Sequence, residues 1–172
     1  MAACLHELDR ARIESPTAEF VELALWYHDA VYEPGARDRD CEERSARLLA
    51  NDAAALAIPA ATARTAADLV RATAHLHGPT PRHDRATDLI VDIDLAIFGH
   101  DALRFMDFEY SVGEEFAGIP TRTFRTARGR FLASLLAAPN LYRTDDFRAR
   151  YEQLARAQIA KLLDSPRYRA YR

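Results

Sequence analysis

The hydrophobic pattern begins with an almost wholly apolar run from Phe20 to Tyr27, which ends in the adjacent polar pair His28-Asp29. Proline suits the first turn of a helix, so Ser15-Pro16-Thr17 predicts the start of a helix that continues to about Val31. A helix that is hydrophobic nearly all round is typical of a protein interior, and we expect this one to be buried.

His28 and Asp29, at the end of that helix, are its candidate functional residues. An imidazole and a carboxylate are costly to bury unless something pairs with them. A divalent metal is one such partner, because it binds a neutral imidazole nitrogen and an ionised carboxylate oxygen together. The alternative is a His-Asp pair that sits in water just past the helix end, so the interpretation needs support from elsewhere in the chain.

The rest of the chain also predicts helices, since alanine, leucine and arginine are abundant and no Asn-Gly or Asp-Gly hairpin turn occurs. Glycine and proline indicate where the helices end. The first helix is predicted to stop at Glu33-Pro34-Gly35, and a second to begin around Asp38 to Cys41. A third helix is predicted to begin at Ile58-Pro59 and to end near His77-Gly78-Pro79, and a fourth to cover Asp88 to Phe98 with Asp84 or Thr87 as its cap. After a break at Gly99-His100-Asp101, three more helices are predicted at about 101–116, 121–138 and 145–163. These elements predict an all-α protein, a single-domain helical bundle of about seven to eight helices.

Length, charge and cysteine content exclude several classes of protein. A chain of 172 residues fits one domain, and a net charge of −3 argues against general nucleic-acid binding. The longest nearly uncharged stretch, from Asp52 to Ala63, is too short to span a bilayer, and charged residues soon after Met1 argue against a signal peptide. Two widely spaced cysteines, Cys4 and Cys41, support neither a disulfide scaffold nor a Cys-based zinc site. We therefore expect a reduced, cytoplasmic protein that does not enter membranes.

Two further positions offer metal-type ligands. His75, with His77 close by, follows the third predicted helix, and Asp92-Ile93-Asp94 places two carboxylates among Leu, Ile and Val. Residues i and i+2 of a helix point about 200° apart, so one metal would take only one of the two aspartates. Taken singly, each feature is also compatible with a helix-end histidine or a structural hydrogen bond. Together with His28-Asp29 they favour a metal centre.

Four blocks of the chain, in this order, strongly resemble the HD superfamily, and more narrowly the predicted metal-dependent HD phosphohydrolases of bacteria. The blocks are Ala24–Tyr32, Cys41–Ala46, Ala72–His75 and Asp92–Gly99. The C-terminal half of that subfamily is similar to Glu114-Glu115-Phe116, Phe131-Leu132, Leu141–Thr144 and Glu152 with Ala155-Arg156. The resemblance covers nearly the whole chain and implies a single HD-like helical domain over 1–172, with a metal-site core at about 1–100 and a C-terminal helical extension at about 101–165.

The resemblance also implies roles for individual residues. His28 and Asp29 match the metal-binding His-Asp pair, Asp94 is the first choice for a later aspartate ligand, and Asp92 is the second. His75 matches a histidine that lines the same cavity. An acidic element, Glu42 and Glu43, could hold a water or a second ion near the site.

The family's first metal histidine normally sits in a Tyr-His-Asn-like stretch that leads directly into the opening helix. The start of this chain, Met1-Ala2-Ala3-Cys4-Leu5, looks like the residues just after that stretch. His6 lies on the corresponding helix but at a different position. We therefore expect either that the true start lies upstream or that this form lacks one ligand.

The expected function is that of a metal-dependent phosphohydrolase acting on a small phosphorylated substrate, with a nucleotide as the favoured example. Its catalytic residues would be Asp29, His75 and Glu43. Its metal would be Mn, Fe, Co, Ni or Mg. Arg44 is a weaker candidate for binding the substrate phosphate. Two alternatives stay open: a degenerate HD-fold protein with a weak metal- or ligand-binding cavity, and a helical interaction module in which the same residues form a metal-free polar network. A homodimer is left open as well.

Two other groups of residues are interpreted as structural. Arg122, Arg125 and Arg128 recur every three residues and could bind a phosphate, but a solvated helix face is the favoured interpretation. Phenylalanines at helix-like spacing are expected to form core rather than a base-stacking platform, namely Phe105, Phe108, Phe116 and Phe131.

Overall fold

The computed structural model describes residues 1–34, 40–75 and 83–169. Within these ranges the protein is all-α, with eight helices and no strand, which confirms the predicted fold class. The helices are α1 (Ala2–Ala11), α2 (Thr17–Tyr27), α3 (Cys41–Ala55), α4 (Ala60–Ala72), α5 (Arg85–Leu95), α6 (Ala102–Glu115), α7 (Thr121–Ala137) and α8, whose segments Asp145–Phe147, Arg148–Glu152 and Gln153–Asp164 follow one another without a break. The middle segment of α8 is a π-helical turn, and a 3₁₀ turn, Ala96–Gly99, follows α5.

Several predicted boundaries differ from those observed. α2 ends at Tyr27 rather than near Val31, because the chain turns there with the Ala30 N–H donating to the Tyr27 carbonyl. α4 ends at Ala72, and the predicted stop at 77–79 lies outside the described residues, as does Gly35. The cap of α5 is Asp84, one of the two predicted candidates, since its Oδ1 accepts hydrogen bonds from two backbone N–H groups of the first turn. The helix begins at Arg85, three residues before the predicted start at Asp88.

α2 is buried on one side only. Val21, Ala24 and Leu25 are fully buried, whereas the Trp26 side chain is 54% exposed. The expectation that this helix is enclosed nearly all round is therefore wrong. Consecutive helical residues point about 100° apart, so Trp26 faces away from α1, α3 and α4, the helices that pack on α2.

The chain forms two compact units, Met1–Asp94 and Leu95–Arg172. The first contains α1 to α4 and nearly all of α5, and its core includes fully buried side chains of α2, α3, α4 and α5. The second contains α6, α7 and α8. The sequence-based division into a core at about 1–100 and an extension at about 101–165 stays a prediction.

The four phenylalanines expected to form core pack against other aromatic rings of the second unit, although only Phe105 is fully buried and the other three are half-buried. Phe105 is buried, and the ring of Phe98 lies about 6 Å from the rings of Phe105, Phe108 and Phe131. Phe116 stacks on Phe124, with ring centroids 5.2 Å apart.

Arg128 departs from the predicted solvated face of α7. Its side chain is only 13% exposed, and its Nη2 lies 2.5 Å from Oε1 of the fully buried Glu109. Each step of three residues turns a helix back by about 60°, so Arg122 and Arg128 point about 120° apart. Arg122 is exposed while Arg128 reaches inward.

Among the described helices, none combines the length with the apolar character that crossing a bilayer requires.

Candidate metal centre

His28 caps the C-terminal end of α2 and is 6% exposed. Its Nδ1 lies 2.7 Å from the carbonyl oxygen of Leu25. A carbonyl can only accept a hydrogen bond, so Nδ1 carries a proton and donates it. In a neutral ring the lone pair is therefore on Nε2, which is the arrangement found when Nε2 of a histidine binds a metal.

The Nε2 atom of His28 faces two carboxylates. It lies 3.3 Å from Oδ2 of Asp29 and 3.4 Å from Oδ1 of Asp94. A lone pair held against two negative oxygens is repulsive, so a positive charge is needed at this point, either a proton on Nε2 or a metal ion. Without a metal the proton is favoured: burial lowers the pKa of His28, but Asp29 and Asp94 raise it to about 11.

Asp94 occupies the last turn of α5 and joins a second histidine to the first. Its Oδ2 lies 2.7 Å from Nε2 of His75, which follows the end of α4 by three residues. Burial favours the neutral acid, but His28 and His75 hold the pKa of Asp94 well below its usual range. His28, Asp29, His75 and Asp94, here called the His-Asp cluster, thus meet from the ends of α2, α4 and α5.

Asp92, the second candidate for the later aspartate, occupies a different environment. Its side chain is fully buried, whereas that of Asp94 is 23% exposed. The two residues are two positions apart on α5 and so point to nearly opposite sides of the helix. Of the two aspartates of α5, Asp94 is the one that the histidine contacts described above reach, from His28 at 3.4 Å and from His75 at 2.7 Å.

Glu43 and Arg44 lie on α3 and have partners of their own. The carboxylate of Glu43 binds Arg71 at 2.6 Å and Arg47 at 2.8 Å, and these two arginines lower the pKa of Glu43 to about 2. Such a weak base is poorly suited to accept a proton near neutral pH. Arg44 pairs with Glu33 at 2.8 Å on the surface. The catalytic role of Glu43 and the phosphate-binding role of Arg44 stay predictions.

The donor atoms of the His-Asp cluster have the chemistry that a divalent ion prefers, one imidazole nitrogen with carboxylate oxygens. Ligands about 2.0–2.2 Å from one ion lie about 3.0–3.5 Å from each other. The distances from His28 Nε2 to its two oxygens, 3.3 and 3.4 Å, fall in that range. In the parts of the chain that the structure describes, however, no group of three or more His, Cys, Asp or Glu side chains is arranged to hold a metal ion.

Cys4 of α1 is a neighbour of the His-Asp cluster, a position that the wide spacing of the two cysteines did not indicate. Burial raises the pKa of its thiol, and the charge of Asp94 raises it further while that of His28 opposes the change. The contact of His28 with the Leu25 carbonyl was missed too. No sequence signal identifies a backbone acceptor, although its position three residues earlier is typical of a helix end.

A comparison of the chain with protein-family models, with curated proteins and with solved structures found no match in any of the three.

Proposed function

We propose that the protein is a metal-dependent phosphohydrolase of the HD type that acts on a small phosphorylated molecule, with nucleotides as the first class to test. The observation that carries the proposal is the environment of His28. Its Nδ1 donates to Leu25, and its Nε2 is aimed at two carboxylate oxygens at 3.3 and 3.4 Å.

Three residues would hold the ion: His28 through Nε2, and Asp29 and Asp94 through their carboxylates. Metal-binding histidines usually donate their other ring N–H to a carbonyl or carboxylate, as His28 does to Leu25. His75 would act one step further out, because its Nε2 already binds Asp94 Oδ2 and fixes the direction of that carboxylate. The mixed nitrogen and oxygen donors suit Mn, Fe, Co, Ni or Mg.

A bound divalent ion would supply a water of lowered pKa and would polarise a phosphoryl oxygen. The chain's own residues would do the remaining work. Asp29 is the most exposed member of the cluster, with 65% of its side chain accessible, so its carboxylate can reach and orient a water on the solvent side. His28 is nearly buried and His75 is 17% exposed, which keeps bulk water away from the inner side.

A metal-free polar network is the second candidate, and one observation favours it. A protonated His28 between Asp29 and Asp94 accounts for the same two distances without an ion. In the described residues no group of three or more possible ligands is arranged for a metal. In this case the cluster would join the ends of α2 and α5 and would have no catalytic role.

Metal content, stability and turnover separate the two candidates. Protein freed of metal with a chelator is supplied with Mn²⁺ or Ni²⁺, and its bound metal, melting temperature and phosphate release from nucleoside monophosphates are measured. At 100 times its dissociation constant, a metal that binds only the folded state adds about 2.7 kcal/mol of stability. We expect this gain to disappear in Asp94→Asn and in His28→Gln.

Matched controls are available on the surface. His83→Gln changes a histidine that is 75% exposed, and Asp146→Asn changes an aspartate that is 62% exposed. Both should keep the metal response. Stoichiometric metal with turnover supports the phosphohydrolase. Metal without turnover on any phosphoester supports the degenerate alternative, and an unchanged melting temperature over a wide metal range supports the metal-free network.

A further inference from the structure

Helix α6 has an apolar surface on the side turned away from its own core. Its inward side chains include the buried Phe105, Glu109 and Val112. On the outer side, Leu103 is 73% exposed, Met106 46% and Tyr110 64%. We call these three residues the α6 stripe.

The stripe is a contiguous feature and not a scatter of exposed residues. Eight large apolar side chains are exposed in the described part of the chain, and three of them belong to this one helix. Their spacing of three and then four residues places them in a row along the helix, as the a and d positions of a heptad are placed. A surface helix normally turns polar residues to solvent, so an exposed apolar row indicates a surface that is covered by a partner.

Acidic residues follow one edge of the stripe. Asp107 comes four residues after Leu103 and Glu114 four residues after Tyr110, so both carboxylates lie beside the apolar row on the same side. Both residues are exposed. On the other edge, Arg167 lies near Gly113, with its Nη2 3.4 Å from the Glu109 carbonyl.

Arg104, three residues before Asp107, pairs with a different carboxylate. Its Nε lies 3.7 Å from Oδ2 of Asp101, at the helix N-terminus. No basic residue occurs in the last turn of α6, where Glu114 adds to the negative end of the helix dipole. The edge thus presents the two exposed carboxylates of Asp107 and Glu114 to solvent.

We propose that the α6 stripe binds a cationic amphipathic helix of a partner protein, one whose apolar row packs on the stripe while Lys or Arg residues contact Asp107 and Glu114. A second copy of this chain that pairs through antiparallel α6 helices is a poorer fit. In an antiparallel pair of identical helices like edges meet, so the two acidic edges would repel each other.

The test uses a dye-labelled helical peptide of about three heptads, with Leu at the a and d positions and Lys at e and g. Its binding to the full chain is measured by fluorescence anisotropy. We expect binding that weakens at least about tenfold in Leu103→Ser/Tyr110→Ser and in Asp107→Lys/Glu114→Lys, and that weakens with added salt. All four substituted residues are exposed, so these variants should fold, and circular dichroism checks that they do.

A matched control changes the charge elsewhere by the same amount. Glu19→Lys/Glu22→Lys alters two exposed glutamates of α2 and should leave the affinity within about twofold. A peptide with Glu in place of Lys should not bind. Equal binding of both peptides, or binding unchanged by either stripe or edge variant, would overturn the proposal. So would sedimentation that shows a dimer of this chain dispersed by the stripe variant, because the second copy would then be the occupant.

Discussion

Nε2 of His75 and Oδ2 of Asp94 lie 2.7 Å apart, close enough for the histidine to hold the carboxylate in one orientation. The other oxygen of Asp94 is thereby directed at His28, 3.4 Å away. His75 is thus a positioning residue for Asp94, and its removal should weaken binding of the proposed metal ion.

Replacing His75 by alanine should weaken metal binding about 10- to 100-fold while the protein stays folded, because Asp94 loses the contact that orients it. Isothermal titration calorimetry with Mn²⁺ or Ni²⁺ measures the change in the dissociation constant of the metal. His83→Ala is the matched control, since His83 is an exposed histidine that pairs with Asp88 outside the cluster. Equal affinities in His75→Ala and the parent would show that Asp94 is positioned without His75.

Arg128→Ala should be strongly destabilising. The change leaves the fully buried Glu109 without its arginine and removes the guanidinium that lies over the rings of Phe98, Phe108 and Phe131. Breaking a buried ion pair on one side typically costs about 3–5 kcal/mol. Urea unfolding measures the loss.

Arg122→Ala on the exposed part of the same helix is the control and should change the free energy of unfolding by less than about 0.5 kcal/mol. The double variant Glu109→Gln/Arg128→Met should be more stable than Arg128→Ala, because no charge is then left buried without a partner. If Arg128→Ala and Arg122→Ala proved equally stable, Glu109 would not depend on Arg128.

Gly99→Ala should destabilise the second unit. An added Cβ would overlap the Cβ of Tyr151 and lie 2.9 Å from its Cγ and 3.0 Å from the hydroxyl of Tyr142. Both tyrosines are buried, so neither ring can move freely, and overpacking of this kind costs about 1–3 kcal/mol. Gly118→Ala is the control, because nothing lies within 4 Å of its added Cβ. Thermal unfolding of the two variants should give a lower melting temperature only for Gly99→Ala.

Glu152 should make stability depend on pH in the acid range. Burial raises the pKa of this carboxyl, but the N–H groups of Leu141 and Tyr142 and the Arg156 guanidinium lower it below its ordinary value. The folded-state pKa is thus below the unfolded value of about 4.3. The stabilisation is present above that pH and is lost as the pH falls through the folded-state pKa.

Glu152→Gln should therefore lower the free energy of unfolding by about 1–3 kcal/mol at pH 7. The difference from the parent protein should shrink as the pH falls below about 4. Chemical unfolding at a series of pH values measures it, with the exposed Glu19→Gln as control. A difference that stayed constant down to pH 2 would mean that the charge of Glu152 has no part in holding Leu141 and Tyr142.

The sequence predicted the helices best where a local signal marks their ends. Asp101, Pro120 and Thr144 precede α6, α7 and α8, and those helices begin within one residue of the predicted positions. Asp101 and Thr144 accept hydrogen bonds from the first turns they cap. The ends without such a signal were less accurate: α2 was predicted about four residues too long, because nothing local announces the turn after Tyr27.

Four of the predicted site residues, His28, Asp29, His75 and Asp94, lie together in the structure, but the sequence did not predict their geometry. Spacing alone could not choose between Asp92 and Asp94, since both lie in the same apolar helix and only the packing of α5 decides which one faces His28 and His75. The burial of the Arg128 side chain could not be predicted for the same reason. It depends on the buried Glu109 of a neighbouring helix, which is distant in sequence. The fold class is confirmed, whereas the metal stays a prediction.

The segment between α7 and α8 has a practical consequence for handling the protein. It has no regular secondary structure, yet side chains of α8 hydrogen-bond to its backbone. Glu152 accepts hydrogen bonds from two of its N–H groups. Arg156 donates hydrogen bonds to the carbonyls of Ala138 and Pro139, and Arg148 to those of Tyr142 and Arg143. The bonded amides of Leu141 and Tyr142 should therefore exchange their hydrogens slowly, and backbone held at its carbonyls as well should fit poorly into a protease active site. An affinity tag or reporter domain inserted here would break these bonds, so irregular backbone in this protein should not be taken as tolerant of insertion.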